Sequence, residues 1–324
     1  MPDPNLPDGR PELLVLRALA LGDVVVAVPA LRALSRGFPE HRLVLATSGW
    51  LAPVVDLIGG VDALLPASGL ATPLPAPVGG VDVAVNLHGR GPESHALLDR
   101  LGPRRRIGFA APGWDGPAWR DDGHERVRWA GLVAAYGIPA DPDDVGLARP
   151  DRPSPAPGAV VLHVGAGYGS RAWPAERFAA VGRALAGQGH RVVLSGGDGE
   201  RDRALAVALA AGLPTDDVLA GRTSLPELAA LVADAAVLVT VDTGAAHLAS
   251  AYGTPSVVLF GPAPVARWGP PAAGPHVVLT DERLRRGEVF ADQPDPALLA
   301  VGAPQVLAAV AERLAAGRRG AAPG

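Results

Sequence analysis

The chain has 324 residues, 48% of them hydrophobic and 19% charged, with a formal net charge of −4 at pH 7. That length holds two domains of ordinary size, and the acidic balance gives no reason to expect nucleic acid as a partner. Cysteine is absent, which excludes disulfides and thiolate metal sites; no apolar run is long enough to span a bilayer, and the polar Met1 to Arg10 stretch has no apolar h-region, so no signal peptide and a cytoplasmic protein are expected.

Glu12 to Arg17 reads as a buried strand, and Ala18 to Leu21 as a loop leading to Gly22-Asp23. Val24, Val28, Leu31 and Leu34 recur with helical spacing up to Gly37, with Pro29 bending the helix. Leu43 to Ala46 is a second strand, Leu51 to Ile58 a short helix, and Val81 to Val85 a strand that ends at Asn86-Leu87-His88-Gly89-Arg90. A helix over Glu93 to Leu101, a strand around Arg106 to Phe109 and a helix over Glu125 to Tyr136 follow. Proline then stands at 139, 142, 150, 153, 155 and 157, the composition of a linker, which sets a domain boundary near residue 150.

Beyond the linker Ala159 to His163 opens a second strand–helix alternation. Helix Ala175 to Gln188, strand Arg191 to Ser195, helix Glu200 to Ala211, strand Val218-Leu219 and helix Pro226 to Ala233 come next. The β-branched run Val237 to Val241, the turn Asp242-Thr243-Gly244, an Ala-rich helix ending near Gly253 and strand Ser256 to Phe260 form a strand–helix–strand unit. After Pro262 the regularity weakens. Pro304 to Ala316 reads as a last helix with a frayed tail. Two doubly wound α/β domains, 1–150 and 151–324, facing a cleft are expected, with the last helix free to pack back on the first.

Several short stretches carry chemistry. Asp23 follows a glycine at a helix start, which suits either a helix cap or a general base set at a strand end. His163-Val-Gly-Ala-Gly-Tyr-Gly-Ser-Arg-Ala-Trp-Pro174 places three glycines and one cation, Arg171, after a buried strand. Glycines let backbone N–H groups approach a phosphate, and Arg pairs bidentately with its oxygens. His163 itself reads as a hydrogen-bonded structural histidine. Ser195 to Glu200 is a glycine-rich turn whose Glu200 could accept ribose hydroxyls. Ser224 and Glu227 match a capping box. At Asp242 to His247 a helix N-terminus offers N–H groups to an anion. Asp242, of like charge, fits better as a cap or as an acceptor for sugar hydroxyls. Arg104-Arg105-Arg106 is the dense basic cluster, read as a solvated strand start. No metal-ligand spacing and no G-x-S-x-G elbow occur. All 29 basic residues are Arg, so an Arg where other proteins use Lys reflects composition as readily as chemistry.

In order along the chain, Leu21-Gly-Asp23…Pro29-Ala-Leu31, His163-x-Gly-Ala…Arg171-x-Trp-Pro174, Gly221-Arg-Thr-Ser-Leu225, Asp242-Thr-Gly-x-x-His-Leu248 and Leu259-Phe-Gly-Pro262 resemble the conserved blocks of glycosyltransferase family 9, the ADP-heptose:lipopolysaccharide heptosyltransferases. The resemblance implies a GT-B fold of two Rossmann-like domains, the second holding the nucleotide-sugar. It makes Asp23 the candidate general base and Arg171 the counterpart of a Lys that contacts the donor diphosphate. Gly22, Gly165, Ser170, Glu200, Thr223, Asp242, Thr243, Gly244 and His247 become donor-binding candidates, and Asn86, His88 and Arg90 acceptor-side candidates.

Catalysis would be inverting and metal-independent, with no cofactor. An ADP-sugar is the preferred donor and a glycan or glycolipid the acceptor; a glycolipid would bring the first domain to the inner face of a membrane. Three departures from the family pattern stand out. Leu19-Ala20 replaces a Ser pair before Gly22, Arg replaces Lys at 171, and the block from Gly287 to Leu299 lacks cysteines. A GT-B sugar-nucleotide epimerase and a non-catalytic nucleotide-sugar binding protein are the competing readings.

Overall fold

The computed structural model describes residues 9–76 and 79–320. The polar start of the chain up to residue 8 and the last four residues of the tail lie outside the described residues. The chain divides into two compact units, Met1–Ala148 and Arg149–Gly324.

The first unit runs β1 (Glu12–Leu16), α1 (Leu21–Val25), α2 (Val28–Gly37), β2 (Arg42–Thr47), α3 (Ala52–Val55), β3 (Ala63–Pro66), β4 (Val83–Asn86), α4 (Glu93–Asp99), β5 (Arg105–Ile107) and α5 (Glu125–Ala134). Its five strands are all parallel, in the order β3-β2-β1-β4-β5. The central strands are buried along their whole length, which is why they read as unbroken apolar runs and not as alternating ones.

The second unit runs β6 (Val160–His163), α6 (Ala175–Gly187), β7 (Val192–Ser195), α7 (Arg201–Ala211), α8 (Leu225–Ala233), β8 (Val237–Val241), α9 (Gly244–Tyr252), β9 (Ser256–Leu259), α10 (Val265–Trp268), β10 (His276–Leu279), α11 (Pro296–Leu299) and α12 (Ala303–Gly320). It too is a parallel five-stranded sheet, ordered β10-β9-β8-β6-β7. Its core gathers Trp173 and Phe178 with the strand residues and with Val306 and Val310 of α12.

The structure corrects several sequence expectations. Pro29 does not bend one helix. It sits in the first turn of α2, after a break at Val26–Ala27, because that turn tolerates a residue without an N–H. Strands β3 and β10 escaped notice: β3 ends on a proline and the residues of β10 are only half-buried. Val218 makes a single bridge to Leu194 and no strand. Within its own unit, helix α12 lies against α6, β8, β9 and β10. Part of the Pro-rich linker is a strap of the first unit. Asp144 pairs with Arg32 and Arg36 of α2, and Ala148 N–H donates to Leu57.

In each sheet, one pair of neighbouring strands sends its following helices in opposite directions: β1 and β4 in the first, β6 and β8 in the second. Loops at the C-terminal ends of such strands diverge and leave room for a ligand. Most of the sequence candidates fall just after those strands; Glu200 follows β7 and Thr223 stands just before α8.

Candidate functional site

In the first unit, β1 is followed directly by Arg17, whose side chain is 1% exposed. Asp23 follows in the first turn of α1. It does not cap that helix, contrary to the first of its two sequence readings: Ala20 occupies the N-cap with no side-chain bond. The Asp23 carboxylate, 26% exposed, lies 3.5 Å from Arg17 Nη2. A carboxylate in a first turn is favoured by the helix dipole even without capping. Gly22, buried within α1, presents no side chain.

On the β4 side, Asn86 is fully buried, and its side chain shapes its own loop. Oδ1 accepts the His88 N–H at 3.0 Å, while Nδ2 donates to Gly89 O at 3.2 Å and to Ser94 Oγ at 2.8 Å. Asn86 is thus a scaffold for His88. Arg90 is exposed. His88 is half-buried, and its Nδ1 has no hydrogen-bond partner. Burial, and then the Arg17 charge, hold its pKa below the ordinary value, with Asp23 pulling the other way. A neutral imidazole beside an acid on the open side of the switch point is suited to handling a hydroxyl.

In the second unit, β6 hands the chain to the glycine loop. His163 Nδ1 meets Ser195 Oγ at 2.9 Å, in keeping with a structural histidine, and burial pushes its pKa down to about 4. The folded state therefore refuses a proton that the unfolded chain takes up below its ordinary value of 6.5. Stability is unaffected above that value and is lost as pH falls from there towards 4, by about 2 kcal/mol at pH 5. Urea unfolding at pH 7.5 and pH 5 should show a smaller loss in His163→Gln than in the wild type; equal losses would discard this assignment.

A Cβ at Gly165 would stand 3.0 Å from His163 Nε2 and 3.5 Å from Glu200 Oε1, so glycine keeps that corner open. Glu200 anchors its other oxygen, Oε2, on the Gly197 N–H at 2.7 Å. A shallow depression of about 180 Å³ lies beside it, lined among others by Gly167, Tyr168, Glu200 and Arg203. Thr223, half-buried, is brought to the same turn by the Gly221 N–H bond to Gly196 O at 3.1 Å. Next along, the Glu227 carboxylate accepts the Ser224 N–H at 2.8 Å and the Ser224 hydroxyl at 2.6 Å. These two residues are thereby taken up by the start of α8.

Ser170 stands apart from the other donor candidates. Its hydroxyl donates to Val289 O and its N–H to Ala291 O, so the side chain staples the 287–292 segment to the glycine loop. Beside it, a Cβ at Gly169 would fall 1.9 Å from the Asp292 carbonyl oxygen. Because backbone and not a flexible side chain is in the way, Gly169→Ala must part the two segments, costing about 1–3 kcal/mol. A lowered melting temperature together with weakened ADP binding by calorimetry is expected; an unchanged melting temperature would show that the segments yield freely.

Arg171 and Asp242 meet across the β6/β8 switch point. Arg171 Nη1 donates to the Asp242 carbonyl at 3.0 Å and lies 3.4 Å from its Oδ2. Arg171 Nε is buried with no hydrogen-bond partner. Asp242 is not the cap of α9. Thr243 holds that position, its hydroxyl turned to Thr240 Oγ1 at 3.1 Å and not to the N–H groups that begin at Gly244. His247 Nε2 lies 4.0 Å from Asp242 Oδ1. The structure thus gathers Arg171, Asp242, Thr243, Gly244 and His247 into one constellation: a cation with a donor to spare, a helix start and a buried carboxylate. Such an arrangement takes an anion together with a hydroxyl-bearing group. Among the described residues, no three His, Asp or Glu side chains gather to hold a metal ion.

Two residues that matter were not singled out by sequence. Arg203 donates from Nε to Val164 O at 3.2 Å and from Nη2 to Trp173 O, bracing both ends of the glycine loop. Arg17 does the same for the first unit. Both looked like ordinary arginines in an Arg-rich chain, one on a helix and one at a strand end. No helix among the described residues is long and apolar enough to cross a membrane.

Two parallel-sheet Rossmann-like units, with the Arg171–Asp242 constellation at the switch point of the second, define the GT-B class of fold. Solved structures bear this out at the level of fold. The chain superposes on the Escherichia coli ADP-heptose lps heptosyltransferase II with a TM-score of 0.75, over 95% of this chain and 99% of that one, at 19% identity. A glycosyl transferase family 9 protein from Veillonella parvula gives a TM-score of 0.76 over 94% and 97%, also at 19% identity.

Residues 143–286 match the model of glycosyltransferase family 9 (heptosyltransferase). They make up most of the second unit. Over 102 residues it is 38% identical to lipopolysaccharide heptosyltransferase 3 of Escherichia coli, covering 31% of this chain and 30% of that one. Over 150 residues it is 37% identical to lipopolysaccharide heptosyltransferase 1 of Pseudomonas aeruginosa, covering 45% and 41%. These alignments thus span well under half of the relatives' length.

Proposed function

We propose that the protein is an inverting glycosyltransferase that moves a sugar, heptose from ADP-heptose by preference, onto a glycan or glycolipid acceptor. The observation that carries this reading is the Arg171–Asp242 pair beside the start of α9, which the Thr243 side chain does not cap, flanked by the glycine-lined corner at Glu200. The named activities of the relatives supply the sugar and the nucleotide.

In this reaction Asp23 takes the proton of the acceptor hydroxyl. The freed oxygen attacks the anomeric carbon from the face opposite the diphosphate, and the bond from that carbon to the diphosphate oxygen breaks with inversion. ADP leaves with its added charge met by the Arg171 guanidinium and the N–H groups at Gly244. Asp242 accepts donor hydroxyls, and Glu200 accepts those of the ribose. A glycolipid acceptor sets the reaction at the inner face of a membrane; a soluble glycan leaves it in the cytoplasm.

A thermal-shift panel of ADP-, UDP- and GDP-sugars tests the donor assignment. ADP-heptose at a hundredfold excess over its dissociation constant should stabilise the protein by about 2.7 kcal/mol. Stabilisation by a UDP- or GDP-sugar alone would overturn the choice of nucleotide. Transfer in EDTA should proceed at the full rate, since charge neutralisation is assigned to Arg171 and the helix start; activity lost in EDTA and restored by a divalent ion would refute the metal-independent mechanism.

A further inference from the structure

Arg17 is an expensive residue to have where it is. A guanidinium carries five N–H donors and no acceptor, and burying it is unfavourable unless those donors are met. Here Nε donates to the Asp23 backbone carbonyl at 2.7 Å, Nη1 to the Leu87 carbonyl, and Nη2 lies 3.5 Å from Asp23 Oδ1. The guanidinium carbon stacks 4.6 Å from the ring centroid of Trp129. Trp129 is itself tied to Glu125 Oε2 at 3.1 Å, and Glu125 to Arg128. The Arg17 carbonyl receives the Thr47 hydroxyl at 2.8 Å.

A sheet of this kind needs no buried charge at the end of its central strand, and apolar replacements of buried ion pairs are often neutral or stabilising. What the charge does hold is specific: the two loops that diverge from β1 and β4, one bearing Asp23 and the other His88.

We propose that Arg17 is a positioning residue that aims the Asp23 carboxylate and clamps the Leu87–His88 turn beside it, so that base and imidazole meet the acceptor as one unit. The proposal rests on the reading of Asp23 as general base. The fork makes the clamp: backbone carbonyls on both loops are held by one planar group, which a single ammonium cannot reproduce. The charged groups facing Arg17 are Asp23, Glu125 and Arg128. With Arg17 in place, His88 stays neutral and available as a hydrogen-bonding group.

The test compares Arg17→Met, Arg17→Lys and Asp23→Asn with the wild type, using ADP-heptose and a lipid-free lipopolysaccharide core oligosaccharide as substrates. Arg17→Met should lower kcat about a hundredfold, the scale of an ångström-sized misplacement, with the donor KM and the calorimetric affinity for ADP unchanged. Arg17→Lys should recover part of the loss, to about tenfold above Arg17→Met, because one contact of the fork survives.

A second readout does not depend on turnover. The His88 ring-proton titration, identified by its absence in His88→Gln, should move to higher pH in Arg17→Met, where a positive neighbour is removed, and to lower pH in Asp23→Asn. A folded Arg17→Met with kcat within a factor of about three of the wild type, set against the hundredfold loss above, or with an unmoved His88 titration, overturns the proposal. If Arg17→Met fails to fold, Arg17→Lys decides by the same two readouts, and wild-type values in both overturn it. Asp23→Asn separates this proposal from the reading beneath it. Full turnover there removes the general base itself, whereas lost turnover there with an active Arg17→Met removes only the clamp.

Discussion

Asp23→Asn is expected to lower turnover by about 10²–10⁴-fold, the usual contribution of a positioned general base, while leaving ADP affinity within about twofold of the wild type. The substitution keeps the size of the side chain and an oxygen that can accept from Arg17 Nη2, yet it has no basic site for a proton. Apart from Gly22, which presents no side chain, the donor candidates lie in the second unit, after β6, β7 and β8 or, for Thr223, just before α8, so nucleotide binding has no reason to follow the loss. Stability should change little as well. The Asp23–Arg17 contact is long, at 3.5 Å, and the carboxylate is 26% exposed, so the ion pair is worth under about 1 kcal/mol. Arg17 meanwhile keeps the carbonyls of Asp23 and Leu87. Steady-state transfer kinetics beside ADP calorimetry and a melting curve make the comparison. Undiminished kcat in a folded variant would remove Asp23 from the mechanism.

Arg171→Ala should strike binding instead. The guanidinium is the cation that pairs with Asp242 at the β6/β8 switch point, and its buried Nε has no protein acceptor, which leaves a donor for an incoming phosphate oxygen. Removing it takes away that donor and also removes the Arg171 charge from beside Asp242, 5% exposed, at the proposed diphosphate site. Truncating one partner of a hydrogen-bonded charge pair costs about 2–5 kcal/mol, and the partial exposure of Arg171 argues for the lower end, roughly a thirtyfold loss of ADP affinity. Asp242→Asn should act in the opposite sense on ADP, because a like charge near the phosphates is removed, while weakening the intact nucleotide-sugar by loss of a hydroxyl acceptor. Calorimetric titration of both variants with ADP provides the measurement. Equal affinity in Arg171→Ala and wild type would count against the diphosphate role.

The double alternation of strands and helices was legible because every central strand is buried on both faces and so appears as an apolar run. The loops at the strand ends were legible through their glycines. Gly165 and Gly169 stand where a Cβ would meet Glu200 or the backbone of Asp292, and a chain that needs such approaches shows it locally. The edges of the sheets were not legible. Strand β3 closes on Pro66 and β10 has no fully buried residue, so the pattern that marks a central strand is missing from both.

The candidate site divides along the same line. Strand ends, glycine turns and helix starts depend on neighbours a few residues away, and the sequence alone determined that Asp23, Arg171, Glu200 and Asp242 would stand at loop positions after strands. It could not determine which polar groups are already used. Asn86 and Ser170 were plausible ligand contacts, but their side chains hold their own loops together. Arg17 and Arg203 carried no signal, because what distinguishes them from the other arginines is the set of carbonyls they reach. Those partners lie 70 and 39 residues away for Arg17–Leu87 and Arg203–Val164, and 71 residues away for Arg171–Asp242. Periodicity reports only the local period of the backbone. Which buried donor meets which distant acceptor is decided when the sheet brings the ends of β1 and β4, and of β6 and β8, side by side.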